Sequence, residues 1–299
     1  MLFRSVHYLD LAAREMAKFD RDMSTLNLLP VYSEPRATSA IPEILSIVEE
    51  SFAKGVAYEV DGYVYFEVAK FPRFGQVSHA SRDEMIALAA IHGGFPDDPR
   101  KRDPLDFILW QPSQADEPAW DSRWGAGRPG WHIECSALSL RELGETLDVH
   151  GGGRDLAFPH HECEAAQSES VTGAPFVKTW MHIGLVGLDG TKMSKSLGNL
   201  VFVGDLAKEA DAAAVRLALL DHHYRHDWEW RHEDLTRAVS RLSTWRSSQS
   251  FSRTNDVLDG VRASLDDDLD TSNALRLIDD AAQSGYNVTS AATLLGITL

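Results

Sequence analysis

Leu9, Ala12, Met16, Phe19, Met23 and Leu26 recur every three or four residues, with Arg14, Lys18, Arg21 and Asp22 between them. That spacing predicts an amphipathic helix, ended by Pro30. A second helix is predicted from near Ser39. It has Pro42 in its first turn, buries Ile44, Ile47, Val48 and Phe52, and is stopped by Gly55. Period two then takes over: 56–60 and 63–68 flank Asp61-Gly62, a hairpin signal. Residues 93–105 read as a linker rich in Pro, Gly and charge, 106–110 as a short strand, and 111–130 as turn-rich.

From Trp131 the texture changes to short β/α alternation. Residues 134–143 predict a helix closed by Gly144, and 146–150 a strand running into Gly151-Gly152-Gly153. Residues 160–171 predict a helix and 183–188 a strand, after which Asp189-Gly190 turns into a Lys/Ser loop. Such alternation predicts a parallel-sheet α/β architecture. After about Gly204 the pattern is helical over 212–223, 233–247, 257–265 and 274–282.

Composition narrows the class. Of 299 residues, 43% are hydrophobic and 25% charged, a balance that can bury a full core. No apolar run approaches the ~20 residues that span a bilayer, and the start lacks a signal peptide's apolar block. A cytoplasmic protein is therefore expected. Two cysteines, Cys135 and Cys163, cannot build a disulfide framework, so metal binding or catalysis is the more natural cysteine role. The net charge of −16 argues weakly against a nucleic-acid partner.

Three groups of residues carry candidate chemistry. Lys192-Met193-Ser194-Lys195-Ser196 follows a predicted strand and an Asp-Gly turn. Two lysines by themselves fit a solvated basic loop better than a clamp for a phosphoryl group under attack, the reading that the whole KMSKS string favours. Cys135, His160 and Glu164 form the second group. His160 and Glu164 are four apart and share a helix face, while Cys135 lies near the predicted start of its helix, where exposed N–H groups favour a thiolate. Sulfur, imidazole and carboxylate together suit Zn²⁺, although each residue singly also fits a structural role. Cys163 falls off the face of His160 and is expected only to pack. The third group is Gly151–Asp155, glycines after a strand where backbone can approach a nucleotide, or simply turn. Trp131, His132, His161 and His182 stand near these elements.

The strings GWHIECSA (130–137), DVHGGGRDLAFPHHE (148–162), WMHIG (180–184) and KMSKSLGN (192–199) resemble, in order and spacing, the cysteinyl-tRNA synthetase group of the class I synthetases. The resemblance implies an incomplete Rossmann-like nucleotide-binding α/β domain over 1–203. A hairpin-bearing insertion at about 56–125 interrupts it, and an all-α region follows over 204–299. It also implies that cysteine and ATP are substrates and that cysteinyl-adenylate forms. Cys135 and His160, with Glu164, would hold one Zn²⁺. Trp131, Gly153, Arg154, Asp155 and Val186 would line the adenylate pocket. Lys192 and Lys195 would steady the phosphates, in a loop completed by Met193, Ser194 and Ser196.

The group holds two activities, tRNA charging and ligation of cysteine to the amine of glucosaminyl-inositol in mycothiol biosynthesis. The stretch AIHGGFPDDPRKRDPL (90–105), the run HHYRHDWEW (222–230) and the closing Leu294-Leu295-Gly296 resemble the ligase branch, which makes tRNA an unlikely partner. Two positions depart from that branch. Ile91-His92 replaces its Glu-Arg, and Glu164 matches the synthetases' fourth zinc ligand. The resemblance also implies a leading portion, with a first zinc-ligand cysteine and a HIGH-type motif, that this sequence does not hold. The chain alone is therefore expected to be inactive, and a catalytically dead fragment kept as a binding module stands as a third reading.

Overall fold

The computed structural model describes residues 2–3, 6–194, 197–253 and 257–299. It opens with two paired two-residue strands, β1 (Leu2–Phe3) and β2 (Val6–His7), followed by the long helix α1 (Tyr8–Thr25). The described residues fall into two units: Met1–His7 with Tyr32–His182, and Tyr8–Val31 with Ile183–Leu299.

In the first unit, α2 (Ile41–Ala53) carries Pro42 in its first turn and buries Ile44 and Val48 completely. Asp61 and Gly62, with φ of 54° and 80°, turn β3 (Ala57–Val60) back onto β4 (Tyr63–Phe66) with Val60 opposite Tyr63. This is the tight hairpin that an Asp-Gly pair favours. Strands β5 (Phe107–Pro112) and β6 (Gly127–Pro129) extend it to a four-stranded antiparallel sheet in the order β3-β4-β5-β6. Helix α3 (Arg82–Ile91) has weak periodicity, and the sequence reading passed over it. Its signal is the capping box: Glu84 N–H donates to Ser81 Oγ, and Ser81 N–H donates to Glu84 Oε2 at 2.8 Å. The remaining elements are α4 (Trp131–Leu143), β7 (Leu147–Gly153), α5 (Glu162–Thr172) and β8 (Val177–Ile183), with β7 and β8 forming a two-stranded sheet. Val64, Phe66, Leu109, Trp110, Ile133 and Ala166 are fully buried at the centre.

The stretch 93–105, which reads as a linker, is fastened to this sheet. Asp106 is fully buried and accepts hydrogen bonds from Tyr58 Oη (2.7 Å), Val68 N–H (2.9 Å) and Asp103 N–H (3.0 Å). Asp98 accepts from Arg100 Nε and Nη2, both at 2.8 Å, and from Tyr65 Oη at 2.9 Å. The Arg100 guanidinium lies 3.8 Å from the centre of the Tyr63 ring. These bonds, led by those from Arg100, hold the Asp98 carboxyl down to about 2. The unfolded chain therefore takes up this proton first as acid is added. The stabilisation is present above about pH 4 and is lost as the pH falls towards 2. Asp98→Asn is expected to flatten that acid limb and to cost roughly 1–2 kcal/mol at neutral pH, read by urea denaturation across pH 2–7.

In the second unit, Asp189 and Gly190 (φ 53° and 76°) turn β9 (Val186–Leu188) into β10 (Thr191–Lys192), and β11 (Trp228–Glu229) pairs parallel to β9. Around this small sheet stand α6 (Val203–Glu209), α7 (Ala212–Leu220), α8 (His232–Ser247), α9 (Val257–Asp266), α10 (Thr271–Gln283) and α11 (Thr289–Leu294). They bury Ala214, Leu217, Trp245, Val261, Leu275 and Ile278. Trp245 Nε1 donates to Asp279 at 2.8 Å, which satisfies the one polar atom of a fully buried ring. Helix α1 joins this unit through its end: Leu26 is in the core, and Arg216 Nη1 donates to the Leu26 carbonyl at 2.8 Å. Its apolar stripe is only partly covered, with Phe19 51% exposed.

Mixed α/β character is as the alternation predicts. The pairing is less parallel than expected, because the largest described sheet is antiparallel throughout and β9–β11 is the parallel ladder given by register. The predicted strand at 183–188 resolves into the end of β8 and a separate β9. No described helix is long and apolar enough to cross a membrane.

Candidate active site

Gly130 fixes the entry to α4. Its extended backbone (φ −68°, ψ 157°) runs so close to β5 that a Cβ there would lie 1.9 Å from the Ile108 carbonyl oxygen, and its N–H donates to the Leu109 carbonyl at 2.9 Å. The helix thus starts at Trp131, three residues before the predicted start. Cys135 becomes its fifth residue, past the first turn with its free N–H groups. The thiolate expected from the helix terminus is therefore not favoured. Burial, with the Glu164 and Glu134 carboxylates behind it, pushes the Cys135 thiol up to about 12. A bound cation reverses that balance, since metal binding expels the thiol proton.

Helix α5 brings the other two predicted donors. His160 lies in the irregular turn Ala157–His161 that leads into the helix, and Glu164 lies one turn further on. Their Nε2 and Oε2 atoms are 3.5 Å apart. The donor atoms of Cys135, His160 and Glu164 all lie within 4.8 Å of one another. Cys163 is 1% exposed in the core, as expected of a packing residue.

Glu164 is the unusual member. It is fully buried, and neither carboxylate oxygen has a hydrogen-bond partner among the described residues. An unpaired buried charge is costly. Imidazoles surround it instead: besides His160, the Nε2 atoms of His150 and His161 lie 3.4 and 4.0 Å from Oε2. Sequence analysis missed both as partners of Glu164: His150 arrives on β7, which no spacing reveals, whereas the i,i+3 spacing of His161 was a signal that could have found it.

Two further histidines hold the ring orientations. His160 Nδ1 is 2.9 Å from His132 Nδ1, and His161 Nδ1 is 2.9 Å from His182 Nε2. Each pair shares one proton. When the Nδ1 of His160 or His161 donates, its Nε2 presents a lone pair towards Glu164. Burial first, and neighbouring imidazoles second, hold His132 and His161 down to about 3. Burial also lowers His160 and His182. Neutral rings are what a cation requires of its ligands. The Trp131 ring, 55% exposed, stacks on His160 at 4.8 Å, and Trp180 stacks on His161 at 5.1 Å.

The glycine run serves this cluster. It is the end of β7 and not a loop, and a Cβ on Gly152 would meet the His161 ring at 3.0 Å. Gly153 then leads into the turn Arg154–Leu156, which carries Arg154 and Asp155.

The rest of the predicted site belongs to the second unit. Val186 lies on β9, and Lys192 pairs with Gly187. Met193 N–H donates to the Val186 carbonyl at 3.2 Å. Ser194 N–H donates to Asn199 Oδ1 at 2.9 Å, and Asn199 Nδ2 donates to the Lys192 carbonyl at 3.2 Å. Asn199 thus holds the backbone at Lys192 and Ser194, a role that no spacing in the sequence reveals. Lys195 and Ser196 lie outside the described residues.

Residues 4–240 match the family model described as the tRNA synthetases class I (C) catalytic domain. A relative from Acidothermus cellulolyticus is 49% identical over 274 residues, covering 90% of this chain and 68% of the relative. One from Frankia alni is 50% identical over 275 residues, covering 90% and 67%. One from Thermobifida fusca is 46% identical over 311 residues, covering 97% and 74%. All three are named L-cysteine:1D-myo-inositol 2-amino-2-deoxy-alpha-D-glucopyranoside ligase. Among solved structures, Mycobacterium tuberculosis methionyl-tRNA synthetase with methionyl-adenylate aligns over 97% of this chain and 72% of its own, with a TM-score of 0.63 at 14% identity. A putative arginyl-tRNA synthetase from Campylobacter jejuni aligns over 97% and 68%, with a TM-score of 0.54 at 12% identity. At such identities the likeness is one of fold: a class I synthetase fold. By its family match and by relatives about half identical across nine-tenths of its length, the chain belongs to the L-cysteine:1D-myo-inositol 2-amino-2-deoxy-alpha-D-glucopyranoside ligases, within the class I synthetase family.

Proposed function

We propose that the chain takes part in the ATP-dependent joining of cysteine to glucosaminyl-inositol. In the first step a carboxylate oxygen of cysteine attacks the α-phosphorus of ATP, and the bond to pyrophosphate breaks. The amine of glucosaminyl-inositol then attacks the acyl carbon of the adenylate, the amide forms and AMP leaves. The observation that carries this reading is the identity of 46–50% to ligases of that name along the chain.

Cys135, His160 and Glu164 supply sulfur, nitrogen and oxygen at a spacing that suits Zn²⁺, and the unpaired buried carboxylate of Glu164 fits a cation there. Zinc so held supplies a soft partner for the cysteine thiolate, which a serine hydroxyl matches poorly. Trp131, Gly153, Arg154, Asp155 and Val186 line the adenylate site in this proposal. Lys192 and Lys195 neutralise phosphate charge as it develops, within the loop of Met193, Ser194 and Ser196. In a form extended to the relatives' full length, Lys192→Ala is expected to lower cysteine-dependent exchange of pyrophosphate into ATP roughly a hundredfold, the scale of losing one preorganised charge partner, with zinc content unchanged.

The test is mass spectrometry of products from cysteine, ATP and each acceptor. It uses this chain and a form extended to the relatives' full length. The reading expects cysteinyl-glucosaminyl-inositol from the extended form and little from this chain alone. Cysteinyl-tRNA as the product would favour the tRNA-charging reading, for which the Glu164 carboxylate beside Cys135 and His160 is the supporting observation.

A further inference from the structure

Glu164 belongs to two donor sets. Besides Cys135 and His160, the donor atoms of His150, His161 and Glu164 lie within 4.8 Å of one another. A tetrahedral ion with bonds of about 2.0–2.2 Å holds its nitrogen and oxygen ligands roughly 3.3–3.6 Å apart. The His150 Nε2–Glu164 Oε2 separation of 3.4 Å falls in that range, and the 4.0 Å of His161 needs only a small movement.

The second set is built as carefully as the first. His161 is 1% exposed, its Nδ1 is engaged by His182, Trp180 stacks on its ring, and Gly152 leaves the space it occupies. Glu164, fully buried with both oxygens unpartnered, faces both sets.

We propose that His150, His161 and Glu164 form a second site for a divalent transition cation, with two imidazoles and one carboxylate and no sulfur. Because one carboxylate serves both sets, and two dications on it would repel strongly, the sets share a single ion. The nitrogen–oxygen set holds it when the Cys135 sulfur does not. Three protein ligands would leave one coordination position for water, as in three-ligand zinc centres. Zinc, cobalt and nickel suit such donors, whereas soft copper(I) does not.

Cobalt(II) titration of the full chain tests this, because thiolate ligation adds an intense charge-transfer band to the weaker ligand-field bands. Cys135→Ala is expected to bind one cobalt per chain with ligand-field bands only, and an affinity within about tenfold of the parent chain. His150→Ala/His161→Ala should keep the thiolate band, and the triple variant Cys135→Ala/His150→Ala/His161→Ala should bind none. Cys135→Ser repeats the measurement with a near-isosteric side chain, and far-UV circular dichroism confirms that each variant is folded. Folded Cys135→Ala or Cys135→Ser chains that bind no cobalt would overturn the proposal. So would cobalt binding that persists in the triple variant. Neither outcome bears on the ligase reading, which is judged by products.

Discussion

Glu164→Gln is expected to abolish tight zinc binding while making the metal-free chain more stable. The carboxylate is the one donor common to both sets, so its loss leaves Cys135 with His160, or His150 with His161, and no further anion. A neutral amide is a poor zinc ligand, and the expected loss of affinity is on the order of a thousandfold, larger than the 10–100-fold typical of disturbing a ligand's support. Stability moves the other way. In the metal-free chain the Glu164 oxygens lack hydrogen-bond partners and face imidazole Nε2 atoms 3.4–4.0 Å away. In the tautomers whose Nδ1 carries the proton, lone pairs oppose lone pairs. An amide offers N–H donors to those nitrogens and carries no charge, which should recover about 1–3 kcal/mol. Isothermal titration with zinc, beside urea denaturation in chelator, reads both effects. Unchanged zinc affinity would remove Glu164 from the site.

The second large effect is expected at Gly130. In Gly130→Ala the new methyl meets the backbone carbonyl of Ile108 at 1.9 Å, and its carbon at 2.8 Å. No rotamer relieves this, because both partners are main chain. Either β5 or the start of α4 must move, and the Gly130 N–H bond to Leu109 is lost with it. Overpacking of side chains usually costs 1–3 kcal/mol; a clash between backbones should exceed that range, at about 3 kcal/mol or more. Since α4 carries Trp131, His132 and Cys135, zinc affinity should fall together with stability. Gly151→Ala is the control: its nearest neighbour would be the Met181 carbonyl oxygen at 3.7 Å, ordinary contact, and a change under about 1 kcal/mol is expected. Denaturation curves for Gly130→Ala and Gly151→Ala that coincide would show that β5 and α4 yield freely.

How much of this was legible in advance follows from the range of each interaction. The Asp61-Gly62 hairpin, α2 with its Pro42 start, and the helices of 212–282 depend on residues a few positions apart, so periodicity and turn chemistry predict them. The i,i+4 relation of His160 and Glu164 is of the same kind. The motif strings, being ordered and specific, carry the family resemblance in the sequence alone.

Tertiary structure decided what depends on distant residues. Asp106 shows that 93–105 is fastened and not loose, because its partners Tyr58 and Val68 come from a hairpin far earlier in the chain. The apolar stripe of α1 gives a helix but not how fully that stripe is covered, since periodicity reports a face and not its neighbour. Cys135 becomes a half-buried, high-pKa thiol because Gly130 starts the helix early and Glu164 stands behind the sulfur. Glutamate on a helix is ordinarily exposed. That Glu164 is buried, unpaired and ringed by imidazoles from two directions follows from β7 and α5 packing together, and such packing has no period in the sequence.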